Sequence, residues 1–233
     1  MTTPDAQPAP GHDHGALAEP VNGIRREHGR TLRDDESVWD ARYAELDQVW
    51  SGNPNLALTV EVEGTAPARA LEVGCGEGAD AVWLARQGWT VTAVDPSGVA
   101  LERARAAADA AGADVTWKQG GLHDVDLPEG GFDLVSVFYP ALDLDDDPVA
   151  RLAALVAPGG TLLVVHHAEV DRERALEHGF DPDLLLSPAI VADQLRGVGG
   201  WTVVGPEKRP RSVTGGAGAH HHDDLVVHAV RTR

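Results

Sequence analysis

The sequence is poor in cysteine, in basic residues and in long hydrophobic runs, and each shortage excludes a class of protein. Its 233 residues include one cysteine, Cys75, so no disulfide can form within the chain. Lys and Arg number 19 against 37 Asp and Glu, and the formal net charge of −18 disfavours binding to a phosphate backbone. Apolar runs such as 161–165 (T-L-L-V-V) are far shorter than a membrane span. We therefore expect a protein that binds neither nucleic acid nor membranes.

The first part of the chain predicts a tail followed by a helix. Residues 1–22 are rich in Pro, Ala, Gly and His and too poor in apolar side chains to fold, which predicts a disordered tail. The start lacks the basic residues and apolar core of a secretory signal, so we expect a cytoplasmic protein. In the segment 23–64, four apolar residues recur at helical spacing and predict one helix face. They are Trp39, Tyr43, Leu46 and Trp50.

Residues 65–233 alternate between strand and helix patterns, which predicts one α/β domain. Strands are expected at 69–73, 90–95, 115–119, 132–139, 161–167, 201–209 and 224–230, and helices at 77–87, 97–111, 148–156 and 188–196. The early strands are almost continuously apolar, as in strands buried on both faces, and the alternation implies a Rossmann-like, doubly wound parallel sheet. The connection 210–223 has no helical pattern, so the last two of the seven strands should form an antiparallel hairpin.

The stretch L-E-V-G-C-G-E-G-A (71–79) joins the first strand to the first helix of this domain. Its glycines fit the dinucleotide spacing G-x-G-x-x-A as well as a G-x-G-x-G spacing, and Asp95, which ends the second strand, suits a ribose diol in either case. Glu72 separates the two possibilities. A carboxylate at the mouth of the loop repels a pyrophosphate and attracts an ammonium or sulfonium group. The helix-free final hairpin and the helix that precedes the first strand favour the same interpretation.

Four motifs resemble those of the class I S-adenosylmethionine-dependent methyltransferases. They are E-V-G-C-G-E-G (72–78), V-D-P-S (94–97), F-D-L-V (132–135) and A-P-G-G-T-L (157–162). W-D-A-R-Y (39–43) with the following W-S-G-N-P-N resembles small-molecule members near the thiopurine and tellurite branch. The resemblance implies that 23–64 forms an N-terminal helical lid and that S-adenosylmethionine is the cofactor. It also implies methyl transfer by in-line displacement to a small-molecule thiol, chalcogen, hydroxyl or ring nitrogen. The sequence does not decide between a monomer and a homodimer.

The resemblance also assigns cofactor-binding residues to the ends of the early strands. These are Glu72, Gly74, Cys75, Gly76, Gly78, Asp95, Pro96, Gly121, Leu122 and Phe138. Glu72 and the glycine loop hold the methionine part, Asp95 holds the ribose, and Pro96 and Leu122 cover the adenine. The family usually has an acidic residue near the adenine amino group where this chain has Gly121. Backbone, His123 or Asp124 must then make that contact, or none does.

Histidines are concentrated where the acceptor should bind. His166 and His167 end the fifth strand, and His220, His221 and His222 approach the last strand from the same edge, so the two groups should converge above the sheet. Three interpretations remain open: solvated or neutral core histidines, acceptor-pocket residues acting as a base or hydrogen-bond partners, and a metal site. We expect no metal, and we predict His167, His221 and Tyr139 as the catalytic residues. His178 could join this group.

Two other functional classes remain as alternatives. An NAD(P)-dependent oxidoreductase could use the same glycine turn, and a non-catalytic module could bind S-adenosylmethionine without turnover, an idea that Gly121 supports.

Arg209 and Arg211, near the hairpin turn, could bind an anionic substrate. Cys75 is interpreted as a small turn residue, because no base stands near it in the sequence.

Overall fold

A computed structural model of the protein describes residues 36–177, 181–213 and 215–233. The helices are α1 (Glu36–Ala44), α2 (Leu56–Glu61), α3 (Ala79–Arg86), α4 (Gly98–Ala111), α5 (Pro148–Leu155), α6 (Arg172–Glu177) and α7 (Pro188–Val198). The strands are β1 (Arg69–Val73), β2 (Thr90–Asp95), β3 (Val115–Gln119), β4 (Phe132–Phe138), β5 (Val156–His167), β6 (Trp201–Pro210) and β7 (Asp223–Arg231). Short 3-10 turns lie at Leu144–Asp146 and Pro182–Leu184.

The strands form one seven-stranded sheet in the order β3-β2-β1-β4-β5-β7-β6. Strands β1 to β5 pair in parallel, whereas β7 is antiparallel to both β5 and β6. The prediction of a doubly wound sheet that closes with an antiparallel C-terminal hairpin is confirmed. The order reverses between β1 and β4, and in open α/β sheets ligands bind at such a switch point, beyond the carboxyl ends of the strands.

Helices cover both faces of the sheet because each strand of its centre is apolar on both sides. One core contains Leu152 and Leu195 of α5 and α7 against Leu71, and the other contains Leu84 of α3 and Leu101 of α4 against the opposite face. The helix boundaries follow local chemistry. For example, α4 begins after Ser97, whose hydroxyl caps the helix at the N–H of Ala100, and ends at Gly112 with φ +61°.

The structure corrects three local predictions. Helix α1 ends at Ala44, so Leu46 and Trp50 lie beyond it on a loop. Strand β5 begins at Val156, and the Pro-Gly-Gly sequence expected to precede it forms an irregularity inside the strand, between the pairs Phe132–Val156 and Leu134–Thr161. Helix α6 and the Pro182–Leu184 turn were not predicted, since the segment between β5 and α7 has no clear periodicity.

Some predictions fall outside the described residues. The predicted tail at 1–22, the first part of the segment 23–64 and His178 belong to these positions. Within the described part of the chain, none of the helices is long and apolar enough to cross a lipid bilayer.

Candidate active site

A cavity of about 700 Å³ follows the carboxyl edge of the sheet from the end of β2 to the β6–β7 hairpin. The glycine loop after β1 forms one end of its wall, and the ends of β4 and β5 form the other. The loop between α1 and α2 also contributes to the lining. The cavity therefore joins the predicted cofactor residues to the predicted acceptor residues in one space.

The β1–α3 loop carries glycines at positions that have no room for a side chain. The backbone is left-handed at both Gly76 (φ +51°) and Gly78 (φ +79°). A Cβ at Gly78 would lie 2.8 Å from Ala104 Cβ and from a ring carbon of Trp117, and a Cβ at Gly76 would lie 2.7 Å from the hydroxyl of Tyr43. Glycine is needed here because the loop is packed tightly against α1, α4 and β3.

Gly74 and Cys75 begin the same loop in different surroundings. A Cβ at Gly74 would meet nothing within 4 Å, and this residue lines the cavity. The N–H groups of Gly74 and Cys75 donate to the carbonyl of Val94 at 2.8 and 3.0 Å, which ties the loop to β2. The Cys75 thiol is buried, and this burial raises its pKa well above the ordinary value, so it is a poor nucleophile.

Asp95 closes β2 and is only 5% exposed. Its Oδ2 accepts from the N–H of Gly76 at 2.7 Å, and its Oδ1 accepts from the N–H of Ser97 at 2.9 Å. Burial raises the pKa of Asp95 to about 6, although the two backbone hydrogen bonds oppose the shift. The carboxylate lines the cavity, and each of its oxygens has a lone pair left for a ligand hydroxyl.

Glu72 supplies a second buried carboxyl group beside the glycine loop. It lines the cavity, is 4% exposed, and its Oε2 has no hydrogen-bond partner among the described residues. Burial, together with Asp80 and Asp95, holds the pKa of Glu72 well above its usual range. Three carboxyl groups on one wall stabilise a cation and repel a pyrophosphate. This end of the cavity therefore fits an ammonium and sulfonium ligand.

Side-chain carboxylates hold the α1–α2 loop over this end of the cavity. The Glu77 carboxylate accepts from the N–H groups of Val49 at 3.1 Å and Trp50 at 2.9 Å. The Asp80 carboxylate accepts from the backbone N–H of Asn55 at 2.6 Å and from its side-chain amide at 2.7 Å. Burial raises the pKa of Asp80 to about 6, against the effect of these two bonds. Trp50 and Asn55 consequently line the cavity.

The β6–β7 loop meets the α1–α2 loop above the cavity. The N–H of Ala217 donates to the carbonyl of Val49 at 3.0 Å. At Gly216 the chains approach so closely that a Cβ would lie 2.7 Å from the backbone nitrogen of Ser51. The two loops together form a cover that touches both ends of the cavity.

The end of the cavity beside the β6–β7 hairpin, where the sequence predicts the acceptor, contains aromatic, histidine and arginine side chains. Tyr139 follows β4 with φ +51°, an unusual backbone conformation for a large residue. Its ring stacks on His167 at 4.3 Å between centroids, and the guanidinium of Arg211 lies 4.9 Å from the Tyr139 ring centre. His221 stacks on the other face of His167 at 3.6 Å. Burial lowers the pKa of both His166 and His221 to about 4, so both are neutral at neutral pH.

The predicted site residues come together around the cavity. Those that line it are Glu72, Gly74, Cys75, Gly76, Gly78, Asp95, Pro96, Gly121, Leu122, Phe138, Tyr139 and His167. His221 is not among the lining residues and lies behind His167. The expected convergence of His166 and His167 with His220 and His221 is present in the fold.

The wall beside Pro96 carries Gly121, where the resemblance leads us to expect an acidic side chain. Gly121 takes the position expected from the sequence, and its N–H donates to the Asp124 carboxylate at 3.3 Å. Asp124 also lines a small recess that adjoins the cavity beside Pro96, whereas His123 lines neither space. Asp124 and Glu36 are the two carboxylates that line this recess.

Several residues that shape the site were missed by the sequence argument. Asp40 accepts from Ser97 Oγ at 2.6 Å and so ties α1 to the start of α4. Glu77 and Asp80 hold the cover, and Asp224 accepts a hydrogen bond from the Tyr139 hydroxyl at 2.8 Å across 85 positions of sequence. The spacing of such partners along the chain carries no signal.

Among the described residues, no group of three His, Cys, Asp or Glu side chains is arranged to hold a metal ion. The stacked rings of His167 and His221 explain part of this finding. Their interplanar angle is 10°, so their nitrogen lone pairs do not converge on a common point.

Comparison with known proteins places this site in a family. Residues 70–160 match the family described as "Methyltransferase domain". The uncharacterized methyltransferase Rv0089 of Mycobacterium tuberculosis is 35% identical over 136 residues, which are 57% of this chain and 68% of the relative. The ribosomal RNA small subunit methyltransferase C of Chromohalobacter salexigens is 33% identical over 123 residues, covering 49% of this chain and 36% of that protein.

Solved structures give the same result for the fold. The structure described for conversion of a disulfide bond into a thioacetal group during echinomycin biosynthesis has a TM-score of 0.66 and 25% identity, and the match covers 84% of this chain and 92% of that one. Magnesium protoporphyrin IX methyltransferase from Synechocystis PCC 6803, with bound S-adenosylhomocysteine, has a TM-score of 0.54 and 18% identity, with 76% and 80% covered. The chain belongs to the methyltransferase family. It is a class I enzyme that uses S-adenosylmethionine as its cofactor.

Proposed function

We propose that this enzyme methylates a small molecule that binds at the hairpin end of the cavity. The observation that carries the proposal is the cavity itself, which joins an acidic end to a histidine and arginine end beneath two covering loops. Its volume of about 700 Å³ lies within the range of roughly 300–1,000 Å³ that is typical of small-molecule sites. A cavity of this size favours a small molecule over a folded RNA, and a net charge of −18 opposes the approach of a phosphate backbone.

In this proposal the acidic end holds the cofactor. Glu72 and the loop from Gly74 to Gly78 receive the methionine part, including Cys75 and Gly76. Asp95 accepts from the ribose hydroxyls, while Pro96 and Leu122 pack on the two faces of the adenine and Gly121 offers backbone atoms to its edge. When bound, the cofactor supplies an activated methyl group on a sulfonium.

The other end positions the acceptor. Phe138 and Tyr139 lie between the two ends of the cavity and exclude water from the reacting atoms. The pKa of Tyr139 is raised, chiefly by burial, so the phenol stays protonated and acts as a hydrogen-bond donor. His167 is then the candidate general base, and His221 supports it by stacking.

The thiopurine and tellurite branch, the cytosol as compartment and a monomer or homodimer remain predictions within this proposal. The second candidate, a module that binds the cofactor without turnover, predicts the same affinity and no product. Because some relatives are ribosomal RNA methyltransferases, ribosomal RNA belongs in the test as an alternative acceptor.

Calorimetric titration with S-adenosylmethionine, S-adenosylhomocysteine and NAD tests the cofactor end first. We expect binding of the first two ligands and none of NAD, and we expect Asp95→Asn to weaken binding at least tenfold while Asp126→Asn, an exposed control, does not. A panel of small thiols, hydroxyl compounds, ring nitrogens and ribosomal RNA is then assayed for released S-adenosylhomocysteine. Turnover of RNA alone would refute the proposed acceptor class, and binding without any turnover would favour the module.

A further inference from the structure

Asp224 lies at the centre of the acceptor end and contacts three of its side chains. In the pairing of β5 with β7, His167 stands directly opposite Asp224. Asp224 Oδ1 lies 3.6 Å from His167 Nδ1, and Asp224 Oδ2 accepts from the Tyr139 hydroxyl at 2.8 Å. The Nε of Arg211, a side chain only 8% exposed, lies 3.7 Å from Asp224 Oδ2. The carboxylate is therefore placed between a base, a phenol and a fixed cation.

Asp224 and His167 each have one buried polar atom without a partner, and these two atoms face each other. Asp224 Oδ1 and His167 Nδ1 are both buried, and neither has a hydrogen-bond partner within the described part of the chain. The two atoms are separated by slightly more than hydrogen-bond distance. Catalytic hydrogen bonds are often long in the ligand-free protein and shorten when the ligands bind. A hydrogen bond between them would satisfy both atoms.

Stacking fixes the plane of the imidazole ring. His167 lies between Tyr139, at an interplanar angle of 25°, and His221, at 10°. Because Nδ1 is buried against Asp224 and His167 lines the cavity, Nε2 is the nitrogen on the cavity side. Nδ1–H donating to Asp224 leaves Nε2 with a lone pair, and this is the tautomer that a base at the cavity wall needs.

We propose that Asp224 is a positioning residue that holds His167 as the Nδ1–H tautomer, and that Nε2 takes the proton of an acceptor hydroxyl. This inference rests on the proposed function and narrows the acceptor to hydroxyl compounds. Thiolates need little help from a base. An ammonium acceptor is disfavoured by the nearby Arg211 guanidinium, which instead stabilises the negative charge that develops on a hydroxyl oxygen.

The chemistry balances with these groups alone. The acceptor O–H bond breaks towards Nε2 while the oxygen forms its bond to the methyl carbon, and the carbon–sulfur bond breaks with its electron pair remaining on sulfur. The sulfonium becomes a neutral thioether, and the imidazolium, stabilised by Asp224, later releases its proton to water.

The surroundings of His167 lower its pKa and so favour the neutral imidazole. Burial is the largest cause that lowers the pKa of His167; Asp224 raises it, and Arg211 and His220 lower it further. The titratable and charged groups that face the ring are Tyr139, His166, Arg211, His220, His221 and Asp224.

Nuclear magnetic resonance of the cofactor-free protein with ¹⁵N-labelled histidine tests the positioning directly. We expect wild-type His167 to be the Nδ1–H tautomer at pH 7, and Asp224→Asn to lower its pKa, because the carboxylate that favours the imidazolium is gone. Asp223→Asn is the matched control: it is the adjacent residue on β7, it is 34% exposed, and it pairs with Lys208 at 2.8 Å. We expect this control to leave the His167 signals unchanged.

Kinetics then test the acceptor class. With hydroxyl compounds, we expect Asp224→Asn to lower kcat about 10²-fold or more, with an unchanged Kd for S-adenosylmethionine. In a His167→Asn background the same substitution should have almost no further effect, because Asp224 acts through His167.

An Nε2–H tautomer in the wild type, an unaltered His167 pKa in Asp224→Asn, or equal losses in both backgrounds would each overturn the inference. Turnover of thiols with no hydroxyl compound accepted would overturn the acceptor class. These results differ from failure of the proposed function, which shows itself as no binding of S-adenosylmethionine or no product from any small molecule.

Discussion

Alanine substitutions at Gly74 and Gly78 should separate cofactor binding from folding. The two glycines share one loop and nearly the same backbone, with φ +73° and +79°. An added Cβ at Gly74 points into open cavity, whereas at Gly78 it lies 2.8 Å from Ala104 and Trp117. The backbone cost, about 1–2 kcal/mol for a left-handed alanine, is common to both variants. Overpacking adds about 1–3 kcal/mol at Gly78 alone.

Urea unfolding and calorimetry measure the two effects. We expect Gly78→Ala to lose about 2–5 kcal/mol of unfolding free energy, and Gly74→Ala about 1–2 kcal/mol. Conversely, Gly74→Ala should bind S-adenosylmethionine at least tenfold more weakly, about 1.4 kcal/mol, because its methyl group takes the space of the ligand. Equal stability losses would show that the packing around Gly78 is not as described. Full affinity in Gly74→Ala would show that the cofactor does not approach this loop.

Two further predictions concern the cover and the acidic wall. Glu77→Ala removes the hydrogen bonds to the N–H groups of Val49 and Trp50. We therefore expect the Kd for S-adenosylmethionine to rise about 10-fold or more, and hydrogen exchange at both amides to become faster. Glu63→Ala, a change at an exposed residue, should leave both the Kd and the exchange rates unchanged. Because the pKa of Asp95 is raised to about 6, a proton competes with the ligand below that value, and affinity should fall about tenfold from pH 7 to pH 5. A flat profile, or one that rises towards low pH, would contradict the assigned role of Asp95.

The centre of the sheet could be predicted from the sequence because β1, β4 and the last part of β5 are buried on both faces. Continuous apolar runs are a physical consequence of that burial. The final hairpin could be predicted for a different reason, because a connection without helical pattern favours antiparallel pairing. The end of α1 could not be predicted, since Leu46 and Trp50 keep helical spacing while the chain turns away at Ala44. The turn is fixed by Glu77, which bonds to Val49 across 28 positions. Local spacing contains no information about such a contact.

The candidate site likewise has features that the sequence pattern predicts and features that depend on contacts between distant residues. Histidines at strand ends could be expected to meet, because topology brings these ends to one edge of the sheet. Asp224 gave no such signal: an aspartate at the start of a strand usually means a solvated turn. The role of Asp224 depends on the register in which β7 pairs with β5, because this register places Asp224 opposite His167. The start of β5 was misjudged for a related reason, since pairing of Val156 with Phe132 draws the strand through a Pro-Gly-Gly sequence that would otherwise end it.

The hydrogen bond from the N–H of Ala217 to the carbonyl of Val49 joins the two covering loops into one cover, although the loops come from opposite ends of the sequence. Residues of both loops line the cavity, so a displacement of this cover would open the cofactor end and the acceptor end together, and cofactor exchange and product release would then depend on one motion.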